Sequence, residues 1–232
     1  FIGVTTGKSS IMQIFPKWAE ILGIDAQLVG YDAPLHAPAY VYDEIVQHVK
    51  TEPLVKGALV TTHKLDLVKV TKHLFDEFDS YATLTQEVSS ISKRATDSKH
   101  SKLIGHAKDP ISSGLALQAF VPKNYWQDNA HVLCFGAGGA AVSISLYLAN
   151  QSEPSGRPKK FTVTDISEER LGHIQSIHQH LQTNLQFEYI LNADAERNDS
   201  LLSELPAGSL VINATGMGKD RPGSPITDAA EF

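Results

Sequence analysis

The chain alternates short apolar runs with longer stretches whose apolar residues repeat every three or four positions, the pattern of strands alternating with helices. "FIGVT" is a short apolar strand, and after the turn "TGKSS" residues Ile11, Ile14, Phe15, Trp18, Ile21 and Leu22 recur at helical spacing. Gly23 is the stop, and Pro16 bends or restarts that helix. "DAQLVGYD" reads as a second strand. "PAYVYDEIVQHVK" sets Val41, Ile45, Val46 and Val49 on one helical face, "KGALVTT" is a third strand, and "KLDLVKVTKHLFDEF" is helical. "EVSSISKRATDSKHSKLIGHAKD" is expected to form a hairpin or two edge strands, and "DPISSGLALQAFV" a connecting helix.

The same alternation continues with the strand "AHVLCFGAGG", the helix "AAVSISLYLAN", a loop "QSEPSGRPKK", and strands at "FTVTD", "FEYIL" and "SLVINATG". This order predicts an α/β fold with largely parallel sheets. At 232 residues, two lobes of roughly 110 residues each are expected, with residues 1–120 as one domain and 121–232 as the other.

Composition narrows the function classes. The chain is 42% hydrophobic and 20% charged, as globular proteins are. No apolar run is long enough to cross a bilayer, and "FIGVTT" reads as the start of a trimmed fragment rather than a signal peptide. A net charge of -6 argues against a nucleic-acid partner, which requires clustered Lys and Arg. The single cysteine, Cys134, lies in the apolar run "HVLCFG" and fits a reducing, cytoplasmic setting. The cluster "HIQSIHQH" brings no Cys or carboxylate set to complete a zinc site, so no metal is expected.

The chemistry-bearing stretch is "VLCFGAGGAAVSISLYLA". Gly136, Gly138 and Ala141 form Gly-x-Gly-x-x-Ala between a strand and a helix, the context of the dinucleotide fingerprint. Gly136 permits the tight turn, Gly138 lets backbone approach a pyrophosphate, and the helix start at Gly139 and Ala140 offers free N–H groups. Asp165, closing "FTVTD", would accept hydrogen bonds from ribose hydroxyls, favouring NAD over NADP. Its distance from the glycines exceeds the usual ~20 residues, an excess the loop "QSEPSGRPKK" absorbs. Asp165 or Ser167 also suits the N-cap of the following helix.

With these residues in hand, the chain resembles the shikimate/quinate dehydrogenase family over essentially its whole length. That family pairs an N-terminal substrate lobe with a nicotinamide-binding Rossmann-type lobe. "GALVTTHK" looks like its Gly-x-Asn-Val-Thr-x-Pro-x-Lys element, "GHAKD" like Gly-x-Asn-Thr-Asp, "FGAGGAA" like its cofactor loop, and "INATGMG" like its Asn-Ala-Thr segment beside the nicotinamide. The resemblance implies Lys64 and Asp109 as the catalytic pair, an ammonium aimed by a carboxylate so that it can protonate an alkoxide. From spacing alone, a surface lysine and a helix cap would be the readings of these two residues. The resemblance also implies Thr215, Gly216 and Met217 at the nicotinamide, NAD or NADP as cofactor, and a small cyclic hydroxy acid as substrate, as in aromatic amino acid biosynthesis or quinate use. A homodimer is compatible with it.

The departures fall on substrate contacts. Leu59 and Ala107 stand where the family has Asn, the Pro of the lysine element is missing, and Ser89 replaces a further Asn. Thr61 is the retained polar contact. In "GKSS", Ser9 matches the second serine of a carboxylate clamp while Gly7 replaces the first. Lys8 and Lys108 are added cations, either of which could take a carboxylate. "ITDAAEF" precedes the last strands and the returning helix, where the family keeps a substrate-contacting Gln, so the C-terminal part of the second lobe is expected to be missing. Losing such donors weakens recognition of shikimate itself. The expected function is a dehydrogenase acting on a related cyclic hydroxy acid. A ligand-sensing module without turnover is the alternative, and a folate-type dehydrogenase a weaker third reading.

Overall fold

The computed structural model describes residues 1–97, 101–122, 125–126, 129–153, 156–218 and 222–232. Contacts divide the chain into two compact units, Phe1–Lys108 and Asp109–Phe232. The division falls ahead of the boundary near residue 120, because the connecting helix packs with the second unit.

In the first unit the strands are β1 (Ile2–Gly3), β2 (Tyr31–Asp32), β3 (Gly57–Leu59), β4 (Glu77–Phe78), β5 (Ser90–Ala95) and β6 (Ser101–His106). The helices are α1 (Ile11–Leu22), α2 (Ala39–Thr51), α3 (Lys64–Thr71) and α4 (Ser80–Thr85). β1 and β2 pair in parallel, and Ile2 bridges Val60 just past β3. The order β3-β5-β6-β4 is mixed rather than largely parallel: β5 runs antiparallel to both neighbours and β4 parallel to β6. The expected hairpin is therefore β5–β6.

Tyr42, Ile45, Val46 and Val49 of α2 and Leu67 and Val68 of α3 are buried with Ile2, Val60, Ile91 and Leu103. Each such side chain contributes about 1.5–3 kcal/mol through removal from water. The apolar stripe of α1 is different. The helix runs uninterrupted through Pro16 to Gly23, but Trp18, Ile21 and Leu22 are 52%, 81% and 68% exposed.

Two expected elements are corrected. "DAQLVGYD" pairs only at Tyr31–Asp32, where β1 offers a partner. The helix drawn through Phe78 ends at Thr71, continues as a 3-10 turn over Lys72–Leu74, and gives way to β4. There Phe78 packs against the apolar core, and pairing with β6 overrides the helical pattern.

The second unit comprises α5 (Asp109–Phe120), β7 (His131–Phe135), α6 (Gly139–Ala149), β8 (Lys160–Asp165), α7 (Glu168–His178), β9 (Gln186–Leu191), α8 (Ala195–Ser203) and β10 (Leu210–Asn213). Its strands are all parallel in the order β10-β7-β8-β9. The chain steps outward from β7 to β9 and returns to the other side of β7, the half-Rossmann arrangement. Val132, Leu133, Phe161 and Val163 are buried in its centre.

A polar network is sealed into this unit. His178, 5% exposed, stacks on Phe187 with ring centroids 3.8 Å apart. Ser145 Oγ donates to the Val142 carbonyl and so accepts from His178 Nε2 at 2.7 Å. Kept neutral by its burial, the imidazole leaves Nδ1 to accept from the Tyr189 hydroxyl at 2.9 Å. Burial pushes the His178 pKa down to about 4. Unfolded, the imidazole titrates near 6.5, so below that pH the unfolded chain binds the extra proton. The stability is complete above about pH 6.5 and is lost as pH falls to about 4. In urea titrations from pH 7 to pH 4, the wild-type chain should lose up to ~3 kcal/mol more than His178→Gln over that window. Equal pH slopes in the two proteins would refute the assignment.

Candidate functional site

The carboxyl ends of the four parallel strands carry a cavity of about 440 Å³. Phe135 and Gly136 line it after β7, Thr164, Asp165 and Ile166 at the end of β8, Asn192 and Ala193 after β9, and Ala214, Thr215 and Met217 after β10. Arg170 of α7 and Asn198 of α8 complete the wall. Ligands of open α/β sheets bind at this edge, beside the point where strand order reverses.

The turn from β7 into α6 is stitched to both neighbouring strands. Gly136 N–H donates to the Thr164 carbonyl at 2.7 Å, and Ala214 N–H donates to the Phe135 carbonyl at 2.7 Å. Gly136 has φ +98, and a Cβ there would sit 2.7 Å from the Ala214 carbonyl oxygen. Both the conformation and the closeness of the backbone after β10 require glycine. Gly138 is another matter: its φ is -80, and an added Cβ would meet nothing within 4 Å. The fold itself leaves room for a side chain at Gly138. A glycine at a sterically free helix start leaves backbone N–H groups bare toward an incoming anion, the fit a dinucleotide pyrophosphate requires. Gly139 and Ala140, in the first turn of α6, are exposed.

Asp165 has a more structural place than a ribose acceptor alone. It is 7% exposed; Oδ2 accepts from Ala137 N–H at 2.7 Å and Oδ1 from Ser167 N–H at 2.8 Å. Its carboxylate thus ties the glycine turn to the end of β8 while still facing the cavity. The N-cap role falls to Ser167, whose Oγ accepts from Arg170 N–H. Cys134 is buried behind this turn. Burial, helped by the Asp165 charge, pushes its thiol pKa up to about 12, leaving a neutral core thiol.

Thr215 and Met217 face the cavity, and Gly216 (φ +76) shapes the turn without lining it. Gly138, Gly139 and Ala140 are likewise outside the cavity wall. Sequence reading passed over the residue that builds the "INATGMG" turn. Asn213 Oδ1 accepts from the Thr215 N–H and hydroxyl, and its Nδ2 donates to the Met217 carbonyl. An Asn two residues before a Thr is the available signal. Arg170, Asn192 and Asn198 were also missed. Asn198 bonds Asn192 and the Pro225 carbonyl, contacts with no local sequence signature.

In the first unit Thr61 and Lys64 follow β3, and Ser89 precedes β5. Val60 N–H donates to the Ser89 carbonyl and Thr61 N–H to the Ile2 carbonyl. Thr62 follows at φ +60, an uncommon conformation for a β-branched residue. It lies where the resembling family has its Pro-containing turn, and such backbone strain of ~1–3 kcal/mol concentrates at functional sites. Buried His63 is held at both ring nitrogens: Nε2 donates to the Ala33 carbonyl, so Nδ1 accepts from the Tyr42 hydroxyl. Lys64 then opens α3, where the helix dipole disfavours a cation by ~0.3–1 kcal/mol.

Ser89 and Lys108 hold structure. Ser89 Oγ accepts from Lys108 N–H at 2.8 Å, and the Lys108 ammonium donates to Asp79 at 2.9 Å. Lys108 is therefore engaged by a carboxylate of its own unit. Lys8 is exposed in the loop that carries Ser9. That loop is pinned by Asp32, whose Oδ1 accepts from the Thr6 N–H and hydroxyl. Asp109 opens α5, half-buried, with Pro110 next.

Among the described residues, no group of three or more His, Cys, Asp or Glu side chains could hold a metal ion, and no helix is long and apolar enough to cross a membrane.

No protein-family model and no curated protein matches the chain. Solved structures do. The chain is similar to quinate dehydrogenase from Corynebacterium glutamicum in complex with NAD (TM-score 0.72, 19% identity, 97% of this chain and 73% of that one). It is similar to shikimate 5-dehydrogenase from Listeria monocytogenes in complex with shikimate and NAD (TM-score 0.68, 19% identity, 94% and 68%). It is also similar to 5-ketofructose reductase of Gluconobacter sp. strain CHM43 (TM-score 0.68, 21% identity, 96% and 70%). The chain has the fold of the shikimate and quinate dehydrogenases.

Gly136→Ala should destabilise the chain by more than ~2 kcal/mol, since strain and a backbone clash coincide. Gly138→Ala should leave the denaturant midpoint within ~0.5 kcal/mol of wild type. Equal losses in the two variants would contradict the distinction drawn between these glycines.

Proposed function

We propose that this protein is a nicotinamide-dependent dehydrogenase acting on a ring hydroxyl or ketone of shikimate, quinate or a related cyclic hydroxy acid. The observation that carries the reading is the cavity at the strand ends, floored by the Gly136 turn and braced by Asp165. A bound nicotinamide dinucleotide supplies the hydride donor or acceptor. In this reading Gly136, Gly138, Gly139 and Ala140 hold the pyrophosphate against the start of α6. Asp165, which keeps lone pairs beyond its two backbone bonds, accepts from a ribose hydroxyl and tilts the choice toward NAD. Thr215, Gly216 and Met217 border the nicotinamide.

Lys64 and Asp109 are the proposed proton-handling pair. The ammonium gives its proton to the developing alkoxide during ketone reduction and collects it during alcohol oxidation, while the carboxylate keeps the lysine charged and aimed. Ser9, Thr61 and Ser89 help to orient the substrate, Ser89 while its hydroxyl also accepts from Lys108 N–H. The altered positions Leu59, Ala107 and Gly7 favour a substrate other than shikimate. That a neighbour of this fold is a 5-ketofructose reductase is in keeping with this.

The test offers NADH or NAD with shikimate, quinate, their keto forms and 5-ketofructose, followed at the nicotinamide absorbance band. Lys64→Ala should lower kcat by ~100-fold or more while NADH affinity, titrated separately, stays unchanged. Cofactor binding with no turnover across the panel would instead favour a ligand-sensing module.

Specificity can be probed at Gly7, where an added Cβ would meet nothing within 4 Å. Gly7→Ser should raise kcat/KM for shikimate by ~10-fold relative to the other substrates. An unchanged ratio would separate this loop from carboxylate recognition.

A further inference from the structure

Asp79 makes four side-chain hydrogen bonds in the first unit, and the dehydrogenase reading does not use it. Its Oδ1 accepts from Ala82 N–H at 2.8 Å, capping α4, and from Ala107 N–H at 3.3 Å. Its Oδ2 accepts from Lys108 Nζ at 2.9 Å and from His106 Nδ1 at 3.3 Å. The main chain adds to this: Asp79 N–H donates to the Gly105 carbonyl at 3.0 Å. One carboxylate therefore touches three consecutive residues, His106, Ala107 and Lys108, and the backbone at Asp79 secures the residue before them. Hydrogen bonding and the Lys108 charge outweigh burial and hold the Asp79 pKa below the usual carboxylate value, so it is ionised at neutral pH.

The other side of His106 continues the line, with Nε2 2.7 Å from Ser92 Oγ. Ser92, His106 and Asp79 thus stand in the order of a nucleophilic triad. Ser92, however, lies inside β5 between paired neighbours Gly57 and Ile104. A position paired on both flanks is not where open N–H groups for an oxyanion gather. The line is a brace.

What it braces is the end of β6, and the residue after Lys108 in the chain is Asp109. We propose that Asp79 is a positioning residue: by fixing His106, Ala107 and Lys108 it sets the backbone from which Asp109 departs, and so the aim of the proton-handling carboxylate. This rests on the dehydrogenase reading. The Asn that the resembling family has in this element is replaced here by an apolar Ala107, and the ammonium of the neighbouring Lys108 is bound to Asp79.

The test uses the full chain with Asp79→Ala and Asp79→Asn, the second retaining an oxygen for the α4 cap and for Ala107 N–H while removing the charge. Amide exchange needs no substrate. In Asp79→Ala, exchange at Ala107 should speed by ~10-fold or more while Ile91 and Leu103 in the β5–β6 ladder keep their protection. With any panel compound that wild type turns over, kcat should fall by ~30–100-fold in Asp79→Ala, with KM and NADH affinity within about twofold, and Asp79→Asn should recover part of the loss. Unchanged exchange at Ala107, or faster exchange with unaltered kcat, would overturn the proposal. Asp109→Asn is the control that separates the two readings: if it keeps full turnover, the proton-handling assignment fails, whatever Asp79 does. If it loses turnover while both Asp79 variants keep theirs, only the positioning role fails.

Discussion

The second unit depends on one carboxylate accepting two backbone N–H groups. Asp165 closes β8 and, through Ala137 N–H, holds the glycine turn against the strand next to β7. Without that bond the turn would carry a buried, unpaired N–H, at a cost of about 1–3 kcal/mol. With it, three strand ends are locked together, since the same turn is bonded to Thr164 on one side and Ala214 on the other. The helix start that follows is thereby aimed, and the cavity acquires a rigid floor before any ligand enters. Preorganisation of this kind is what makes a helix N-terminus useful as an anion site.

The first unit works differently: its polar residues around the end of β6 pair with one another. Ser89, His106, Lys108 and Asp79 bond mainly to one another and to the backbone. A loop whose side chains are paired in this way keeps its shape when residues at neighbouring positions such as Leu59 or Ala107 are exchanged. Strain at Thr62 and a cation opening α3 persist within the same frame, as expected where surrounding contacts over-determine a local conformation.

The legible parts of the sequence were those with a local physical cause. Gly136 announces itself because strand, glycine and helix stand in sequence, and the β5–β6 hairpin because alternation breaks at a polar turn. The end of α3 was not legible, since "HLFDEF" continues a helical period and only the partner strand β6, distant in sequence, draws Glu77 and Phe78 into a sheet. Asp165 was found but half understood: an acid at a strand end suggests a ribose, whereas its bond to Ala137 spans 28 residues. Of Asp79 only the cap on Ala82 N–H is local; its ties to His106, Ala107 and Lys108 were invisible for the same reason, lying 27 to 29 residues away.

That contrast bears on how a fold can persist at 19–21% identity. A contact between side chains can be rebuilt from many residue pairs, so it leaves little trace in sequence. A backbone that approaches another backbone cannot be. At Gly136 a single methyl group would occupy the space of the Ala214 carbonyl, and no exchange of neighbours removes that conflict while the two strands stay adjacent. The few positions of this kind carry the shape of the strand-end cavity, while the side chains around it are free to change what the cavity and its companion lobe recognise.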